Sequence, residues 1–479
     1  MIGILLAAGR GTRMKSDKPK VLFEVNDEPM AFGALKSLLE TCEEVCVVVG
    51  YRAADVESAL MSRAVEVIGE KEAKKRICFA LQDPPRGTGD AVKKAINELG
   101  KKKLEGSGVI VANGDLPLIR AATLKRLIKD ITALKLTAAC LSMRTAQPQG
   151  LGRILRDDKG FFVGIREEKD ATADEKRIRE VNGGVYYFDG KVLAEAIQKL
   201  NTKNAQGEFY LTDLLGNRDD KFRRSEAILL RAPWDLLGVN NTFELASVRK
   251  MAQARLQKKL CEDQGVDFLD PATTYVSARA NFEGASTVGP GTVIKGRSVI
   301  QKDVVIDGQC YIEDSTIAEG AHLLWSSVVR ESKVGEGCSV GPMAHLRPGS
   351  DLGKDVKVGN FVELKKTKMA AGSKASHLTY LGDAEVGAES NIGCGTITCN
   401  YDGFNKHKTV IGKKVFVGSD SQLIAPITLG DGAYVASGTT VTRDVPAGAL
   451  AIGRAEFKIK EGYADRLNRK FRSRGKGEK

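Results

Sequence analysis

Residues 1 to about 238 alternate short apolar runs with amphipathic stretches. Residues 2–8, 45–49 (VCVVV) and 109–112 (VIVA) are unbroken apolar runs of strand length, the pattern of strands covered on both faces. Between them, residues 30–39 and 91–99 carry their apolar side chains at helical spacing. This βαβ rhythm predicts a mostly parallel sheet with helices on both sides. Ligands of such sheets bind where strands end, and Gly9 and Asp115 both follow predicted strand ends.

The period then changes twice. Residues 242–262 (TFELASVRKMAQARLQKKLCE) place Leu245, Val248, Ala252, Leu256 and Leu260 on one helical face with no Gly or Pro between them, which predicts a linker helix. Beyond it, Val288, Ile294, Ile300, Ile306 and Ile312 step by six. The same step carries Ile317, Leu323 and Val329, then Val334 through Val340, Leu346, Leu352 and Val358 to Leu364. A last block runs from Ile411 through Val417, Leu423, Leu429 and Val435 to Val441. Glycine follows many of these positions, as at Gly335, Gly341, Gly353, Gly359, Gly412, Gly418 and Gly430. An apolar residue every six, followed by a small one, predicts a parallel β-helix of triangular coils, with the small residues permitting tight turns. The register breaks between Leu364 and Ile411, where KKTKMAAGSKASHLTYLG and CNYDGFNKHK lie. Insertions of this kind form loops on one face, often the binding face, and His377 sits there with Glu363, Lys365, Tyr380 and Lys406.

Bulk composition bounds the picture further. A chain of 479 residues exceeds the ~250–300 residues over which one core grows, so more than one domain is expected. Lys and Arg outnumber Asp and Glu by 73 to 61, and much of the +12 excess lies in the final stretch KIKEGYADRLNRKFRSRGKGEK, read as a polar, aperiodic tail that frays. A positive balance suits anionic small substrates, and charge alone leaves nucleic acid open. The nine cysteines are scattered; Cys42/Cys46 and Cys394/Cys399 lack zinc-site spacing, which points to reduced thiols in a cytosolic protein. No signal-peptide pattern and no apolar span of ~20 residues is present, so the expectation is a cytoplasmic protein without a membrane partner.

The opening LLAAGRGTRMKSDKPK is a phosphate-loop candidate that fits neither common template. It lacks GxxxxGK[ST], and GRGTRM ends in Met14 where the dinucleotide fingerprint has a third glycine. A bare GxG also describes an ordinary strand-to-helix turn. Thr12, Arg13 and Lys20 beside it, with Asn113-Gly114-Asp115 after another strand, favour a ligand. Backbone N–H groups can cradle a triphosphate, cationic side chains neutralise it, and Asp115 suits a magnesium ion.

LAAGRGTRM with KPK and a later GD is the signature of sugar nucleotidyltransferases. With NAQGEFYLTD (204–213), GVNN (238–241), HLTYLGDAEVG (377–387) and GTITCNYDG (395–403), the chain resembles the bifunctional N-acetylglucosamine-1-phosphate uridyltransferase / glucosamine-1-phosphate acetyltransferase family up to about Ala455. The resemblance implies an α/β plus all-β protein. Its parts are a Rossmann-like nucleotidyltransferase domain (1–238), a linker helix (239–262), a left-handed β-helix of hexapeptide repeats with acetyltransferase activity (263–455) and a basic tail (456–479). In the first domain it implies that Leu6, Ala7, Ala8 and Gly9 line the nucleotide, that Arg13 and Lys20 meet its phosphates, and that Gln82, Gly87 and Thr88 read uracil. Asn113 and Gly114 would join that site. Gly152, Glu167, Asn182 and Asn240 would hold the sugar, with Asp115 and Asn240 as magnesium ligands. Uridylyl transfer from UTP would be an in-line displacement by an ionised phosphate, which needs alignment and charge neutralisation rather than a general base. The chain departs from the family at Asn113 (usually Tyr), Gly183 (usually Thr) and Asp90 (often His).

In the second domain the resemblance implies that His377 is the general base for acetyl transfer, a role suited to imidazole, with Glu363 orienting it and the amine. Arg347 and Lys365 would bind the sugar phosphate, and Tyr380, Asn391 and Lys406 would complete that subsite. Cys394, Asn400, Tyr401, Ser419, Ser437 and Arg454 would contact acetyl-CoA, Cys394 and Ser437 standing where the family usually has Ala. His322, His345 and His407 lack such company and read as structural or surface residues. The implied assembly is a homotrimer with acetyl-CoA sites between adjacent β-helices. Two rivals remain: a nucleotidyltransferase whose β-helix only assembles or regulates, and a non-catalytic assembly factor. Nucleic-acid binding by the tail is a third and weaker one.

Overall fold

The computed structural model describes residues 1–216, 224–231 and 233–474. The chain divides into two compact units, Met1–Lys259 with Tyr275–Arg279, and Leu260–Thr274 with Ala280–Lys479.

The strands of the first unit are β1 (Ile2–Leu6), the short hairpin β2 (Glu24–Val25) and β3 (Glu28–Pro29), β4 (Glu44–Val49), β5 (Ile77–Leu81), β6 (Gly108–Asn113), β7 (Ala138–Arg144), β8 (Arg153–Arg156), β9 (Phe162–Arg166), β10 (Glu180–Asp189) and β11 (Ser225–Leu229). Its helices are α1 (Met30–Leu39), α2 (Ala53–Ile68), α3 (Glu70–Arg76), α4 (Thr88–Leu99), α5 (Lys101–Leu104), α6 (Ala121–Leu134) and α7 (Gly190–Ala196). The main sheet runs β11-β7-β10-β6-β1-β4-β5. The alternation within each apolar run explains why helices cover both faces. Val45, Val47 and Val49 of β4 join one core with Leu5, Phe32, Leu60 and Leu124, whereas Cys46 and Val48 join another with Ile4, Val92, Ile96 and Leu193. Along this order pairing is parallel as expected except at β10, which runs antiparallel to both β6 and β7; off it, β8 is antiparallel to β9 and β10. The register of β10 on β7 shifts between Asn182 and Tyr186, a bulge at Gly183-Gly184 that lies in the sugar-site candidate region.

The predicted linker helix is α8 (Thr242–Gln264). Leu245, Val248 and Ala252 are buried as the periodicity requires, but Gln253 and Gln257 take the covered places expected for Leu256 and Leu260. The reason is polar rather than apolar: Gln253 Nε2 donates to Asn26 Oδ1 (2.8 Å) and Val276 O (2.7 Å), and its Oε1 accepts from Val276 N (2.9 Å). Asp235, 1% exposed, anchors the same helix by accepting from Arg255 Nη2 at 2.6 Å.

In the second unit, parallel strands stack into three sheets that form the faces of a left-handed parallel β-helix. Ile294 stands on Ile312, Ile312 on Val329, Val329 on Leu346, Leu346 on Leu364 and Leu364 on Leu381, so each coil spends 17 or 18 residues. The six-residue ladder is therefore correct, and its interruption is shorter than the sequence suggested. The ladder continues through Met369, Ala375, Leu381, Val386, Ile392 and Thr398, all buried. It looked broken because the steps from Leu364 to Met369 and from Leu381 to Val386 are five residues long, with Lys366 and Asp383 turning the corners at φ 47° and 50°. KKTKMAAGSKASHLTYLG is regular coil, and the extra chain lies only around residues 400–408, between Cys399 and Thr409.

Except at Gly341, with φ 108°, the glycines that follow ladder positions have a different cause from tight turning. A Cβ on Gly359 would lie 1.8 Å from Ser376 O, and one on Gly335 would lie 2.4 Å from Gly353 O. These residues let successive coils approach. Many corners are turned by non-glycine residues in the left-handed region, Asp303, Asp314, Glu331 and Leu378 among them. The tail differs too: Tyr463–Arg474 form helix α9, in which Tyr463, Leu467 and Phe471 recur every four residues on an otherwise polar helix. Residues 475–479 of the tail lie outside the described residues.

Candidate functional site

Two adjoining cavities open at the strand ends of the first unit. One, of about 290 Å³, is lined by Leu6, Ala8 and Gly9 from the end of β1, by Lys20, by Gln82, Gly87 and Thr88 around the start of α4, by Asn113, Gly114 and Asp115 after β6, and by Pro85 and Glu208. The other, of about 200 Å³, shares Thr88, Asn113 and Asp115 and adds Gly152, Glu167, Asn182, Tyr186, Leu236 and Asn240. Backbone pairing joins the walls: Gly114 N donates to Leu6 O (2.8 Å), and Val239 N to Asp115 O (3.1 Å), which brings Asn240 beside Asp115.

The loop after β1 is shaped by one glycine in particular. Gly11 has φ 69°, and a Cβ there would stand 2.4 Å from the Lys20 Cβ. Gly9 has nothing within 4 Å of such a Cβ. Lys20 thereby reaches Asp115, Nζ to Oδ2 at 2.6 Å, with both side chains largely covered. Arg13 is exposed, and Ala7 is held in the sheet by Ala7 N to Val48 O (2.8 Å). Across the cavity, Gly87 needs a positive φ (101°) and leaves no room for a Cβ against Phe209 O at 2.6 Å. Gln82 is buried, and its Nε2 donates to Gly87 O (3.0 Å) and Asp90 Oδ2 (2.9 Å).

In the second cavity, Asn182 Nδ2 donates to Tyr186 Oη (2.6 Å) and Asn182 N to Gly152 O (2.8 Å). Glu167 accepts from Thr212 Oγ1 (2.9 Å). Burial pushes the Glu167 carboxyl up, nearby Asp213, Asp170 and Glu208 adding to the effect and the Thr212 hydroxyl opposing it. The departures at Asn113 and Gly183 are explained locally. A Cβ on Gly183 would meet Leu236 Cδ1 at 2.5 Å, so Leu236 fills the space a larger residue needs; one on Gly184 would meet Asn113 Nδ2 at 2.5 Å.

On the β-helix, His377 ends the strand Lys374–His377 and stands in register with Asn360 one coil earlier. His377 Nδ1 and Asn360 Oδ1 are 2.7 Å apart, which fixes the proton on Nδ1 and leaves the Nε2 lone pair free. Leu378 follows with φ 41°, turning the corner. Each later coil puts another predicted residue in the His377 column, two places beyond the ladder residues Ala375, Ile392, Val417 and Val435: first Cys394, then Ser419, then Ser437, the last three joined through Asp420 N to Cys394 O (2.7 Å) and Gly438 N to Ser419 O (2.8 Å). Past the corner, His345, Glu363 and Tyr380 form a second column. Glu363 accepts from Arg347 Nη1 (2.7 Å), so in this structure the partner that orients His377 is Asn360, not Glu363. His345 is pushed down by burial, with Arg347 and Arg330 contributing. Lys365 ends the Glu363 strand opposite Gly382, where a Cβ would meet Tyr380 Oη at 2.4 Å and Asn400 Nδ2 at 2.7 Å.

The inserted segment is a self-capped turn. Asp402 accepts from Phe404 N (2.8 Å), Asn405 N (2.6 Å) and His407 Nε2 (2.6 Å), which together hold its carboxyl far below the usual range. Lys406 lies 3.9 Å over the Tyr401 ring, and Asn400 Nδ2 donates to Asp383 Oδ2 (2.5 Å). His407 and His322, the latter 2.6 Å from Asp307, are committed to such pairs. Asn391 stands apart from His377. It pairs with Lys374, three residues back along the strand, about 10 Å away at ~3.3 Å per residue. Arg454 is exposed beyond the last strand.

Known proteins resemble the chain over nearly its whole length. A MobA-like NTP transferase domain matches residues 3–158, a GMPPB C-terminal domain residues 280–371, and bacterial transferase hexapeptide repeats residues 408–443. The chain is 41% identical to the bifunctional protein GlmU of Clostridium acetobutylicum over 97% of its own length and 98% of that protein's. It is 43% identical to the bifunctional protein GlmU of Trichlorobacter lovleyi (96% and 97%) and to that of Shouchella clausii (96% and 98%).

The chain belongs to the bifunctional GlmU family.

Membership carries a divalent-metal requirement for the nucleotidyltransferase half of a GlmU protein. No helix of the described residues is long and apolar enough to cross a membrane. Motif reading did not single out the lining residues Glu208 and Tyr186, or Thr212 and Asn360, the hydrogen-bond partners of Glu167 and His377. Asn360 had a signal, since residues 17 apart share a column in a coil of that length.

Proposed function

We propose that the chain makes UDP-N-acetylglucosamine in two steps, one on each unit. The second unit transfers acetyl from acetyl-CoA to glucosamine-1-phosphate. The first then transfers uridylyl from UTP to N-acetylglucosamine-1-phosphate and releases pyrophosphate. The observation that carries this reading is the His377 column: an imidazole with a fixed tautomer and a free Nε2 heads a line of small side chains, a feature a scaffold does not need.

For acetyl transfer, Arg347 and Lys365 bind the sugar phosphate, Glu363 holds Arg347 in place, and Tyr380 and Asn400 close the corner. The substrate amine loses a proton to His377 Nε2 and attacks the thioester carbonyl. The tetrahedral intermediate collapses, the C–S bond breaks, and the coenzyme A sulfur leaves and takes up the proton. Acetyl-CoA runs along Cys394, Ser419 and Ser437 towards Arg454, with Tyr401 from the inserted turn against it.

For uridylyl transfer, Gln82, Gly87 and Thr88 take uracil, the backbone from Leu6 to Gly9 takes the nucleotide, and Arg13 and Lys20 meet the phosphates. Gly152, Glu167, Asn182 and Asn240 hold the sugar so that its phosphate oxygen lies in line with the α-phosphorus of UTP. Asp115 and Asn240 offer two adjacent oxygen donors, and no cluster of three His, Cys, Asp or Glu residues suited to a metal exists among the described residues. That donor set fits Mg2+, which prefers one or two protein oxygens, substrate phosphates and water. Bound Mg2+ supplies charge neutralisation for the triphosphate. Lys20 already neutralises Asp115 at 2.6 Å and is placed to turn to the phosphates when they arrive.

The proposed assembly is a homotrimer acting in the cytoplasm. Its support is the column that starts at Asn391, which pairs with Lys374 three residues along the strand from His377. In the next two coils Phe416 and Tyr434 continue that column, their ring centroids 5.6 Å apart, as an exposed aromatic pair suited to a neighbouring copy. Incubating the protein with glucosamine-1-phosphate, acetyl-CoA, UTP and Mg2+ tests the reading. UDP-N-acetylglucosamine should form with one coenzyme A and one pyrophosphate per product. Pyrophosphate release from N-acetylglucosamine-1-phosphate without any coenzyme A release from glucosamine-1-phosphate would reduce the protein to a nucleotidyltransferase with a structural β-helix.

A further inference from the structure

We propose that Asp90 is a positioning residue that sets which pyrimidine the nucleotide cavity accepts, by locking the Gln82 amide with its carbonyl oxygen towards the base. The proposal rests on the reading of this cavity as the UTP site.

Gln82 is 4% exposed, and its Nε2 has two partners, Gly87 O at 3.0 Å and Asp90 Oδ2 at 2.9 Å. A backbone carbonyl and a carboxylate only accept, so the NH2 end of the amide must face them. Turning the amide over would break both hydrogen bonds and set its oxygen against two other oxygens. The Oε1 atom therefore takes the remaining direction, on a residue that lines the 290 Å³ cavity with Gly87 and Thr88. Both acceptors are themselves held. Gly87 precedes α4 at a φ only glycine adopts easily, and Asp90 lies in the first turn of α4. That turn is tied down by Gly89 N to Phe209 O (2.7 Å) and Leu211 N to Thr88 Oγ1 (3.1 Å).

A fixed acceptor distinguishes the two common pyrimidines. Uracil presents an N3–H donor between two carbonyl oxygens, which matches Gln82 Oε1. Cytosine presents a bare N3 acceptor beside an exocyclic amine, so its N3 lone pair opposes Oε1. Without Asp90 the amide keeps one acceptor, Gly87 O, and can rotate its NH2 group towards a cytosine N3. A buried polar group left unpaired by the wrong ligand is the strongest source of such discrimination.

The test measures kcat/KM for UTP and CTP in the full-length protein with saturating N-acetylglucosamine-1-phosphate and Mg2+. Asp90→Ala should lower the UTP-to-CTP ratio by at least about tenfold, the value of one directed hydrogen bond. Asp90→Asn, which still offers an acceptor oxygen to Gln82, should stay within about threefold of wild type. If Asp90→Ala fails to fold, Asp90→Leu withdraws the acceptor while keeping the side-chain bulk and reads the same ratio. A ratio unchanged in Asp90→Ala, or a loss shared equally by both nucleotides, overturns the positioning role. A wild-type protein that releases no pyrophosphate from UTP overturns the uridyltransferase reading and this proposal with it.

Discussion

Asp235→Ala removes the most covered carboxylate among the described residues of the first unit. The side chain is 1% exposed and accepts from Arg120 Nε with both oxygens (3.1 and 3.0 Å), from Arg255 Nη2 (2.6 Å) and from Thr123 Oγ1. Breaking a buried ion pair costs about 3–5 kcal/mol when the remaining charge stays buried. Here Arg120 and Arg255 are 56% and 30% exposed and can be rehydrated, so the loss should be about 2–4 kcal/mol, with the buried Thr123 hydroxyl left unpaired. For a unit of this size that is a fall in Tm of about 5–12 °C. Asp235→Asn keeps the Thr123 bond and should lose about half as much. Trp234 and Trp325, the two tryptophans, fall one in each unit, so in a Trp325→Phe background fluorescence follows the first unit alone. Heating the two variants beside the parent measures the shift. Since Leu236 lines the sugar cavity, the KM for N-acetylglucosamine-1-phosphate should rise as well. A Tm fall below about 2 °C would show that the carboxylate bridges solvated arginines of little net worth and would refute the reasoning.

Three further outcomes are expected. Burial raises the Glu167 carboxyl above its unfolded value, so its ionised form opposes folding. Stability falls as pH rises from about 4.3 through the folded pKa, and the cost is constant above both. Glu167→Gln should therefore gain stability over wild type as pH rises from 4 to 7.5 in urea titrations; a pH-independent difference would contradict this. Asn360→Ala frees the His377 tautomer and should lower acetyl-transfer kcat by about 10–100-fold, a second-partner effect of the size seen for groups that orient a catalytic imidazole, while pyrophosphate release is unchanged. Gly359→Ala forces a Cβ into Ser376 O and should cost the β-helix about 1–3 kcal/mol, read as a lowered denaturation midpoint of its own transition.

How much of this was legible in the sequence depended on whether the deciding force was periodic. Burial on both faces wrote β4 as VCVVV, and the hexad ladder wrote the β-helix, because each places an apolar residue at a fixed interval. The apparent break after Leu364 arose because two five-residue sides shift the count without disturbing the coil. Gln253 could not be read as part of a buried face, since its burial is stabilised by hydrogen bonds to Asn26 and Val276, both distant in sequence. The glycines after ladder positions were visible, yet their cause, contact with the next coil, appears only once coils are stacked. In the candidate sites, motif residues such as Lys20, Asp115 and His377 stood out by type and spacing. Their partners did not: Asp90 on Gln82 is a contact set by the start of α4, and Leu236 beneath Gly183 is set by a loop more than fifty residues away.

The central claim, two independent chemistries on one chain, is tested most directly by measuring coenzyme A release and pyrophosphate release on the same preparations of wild type, Asp115→Asn and His377→Ala. Asp115→Asn should lose pyrophosphate release by at least about a hundredfold and keep acetyl transfer, and His377→Ala should do the reverse. Loss of both activities in either variant, or acetyl transfer that survives His377→Ala, would contradict the account.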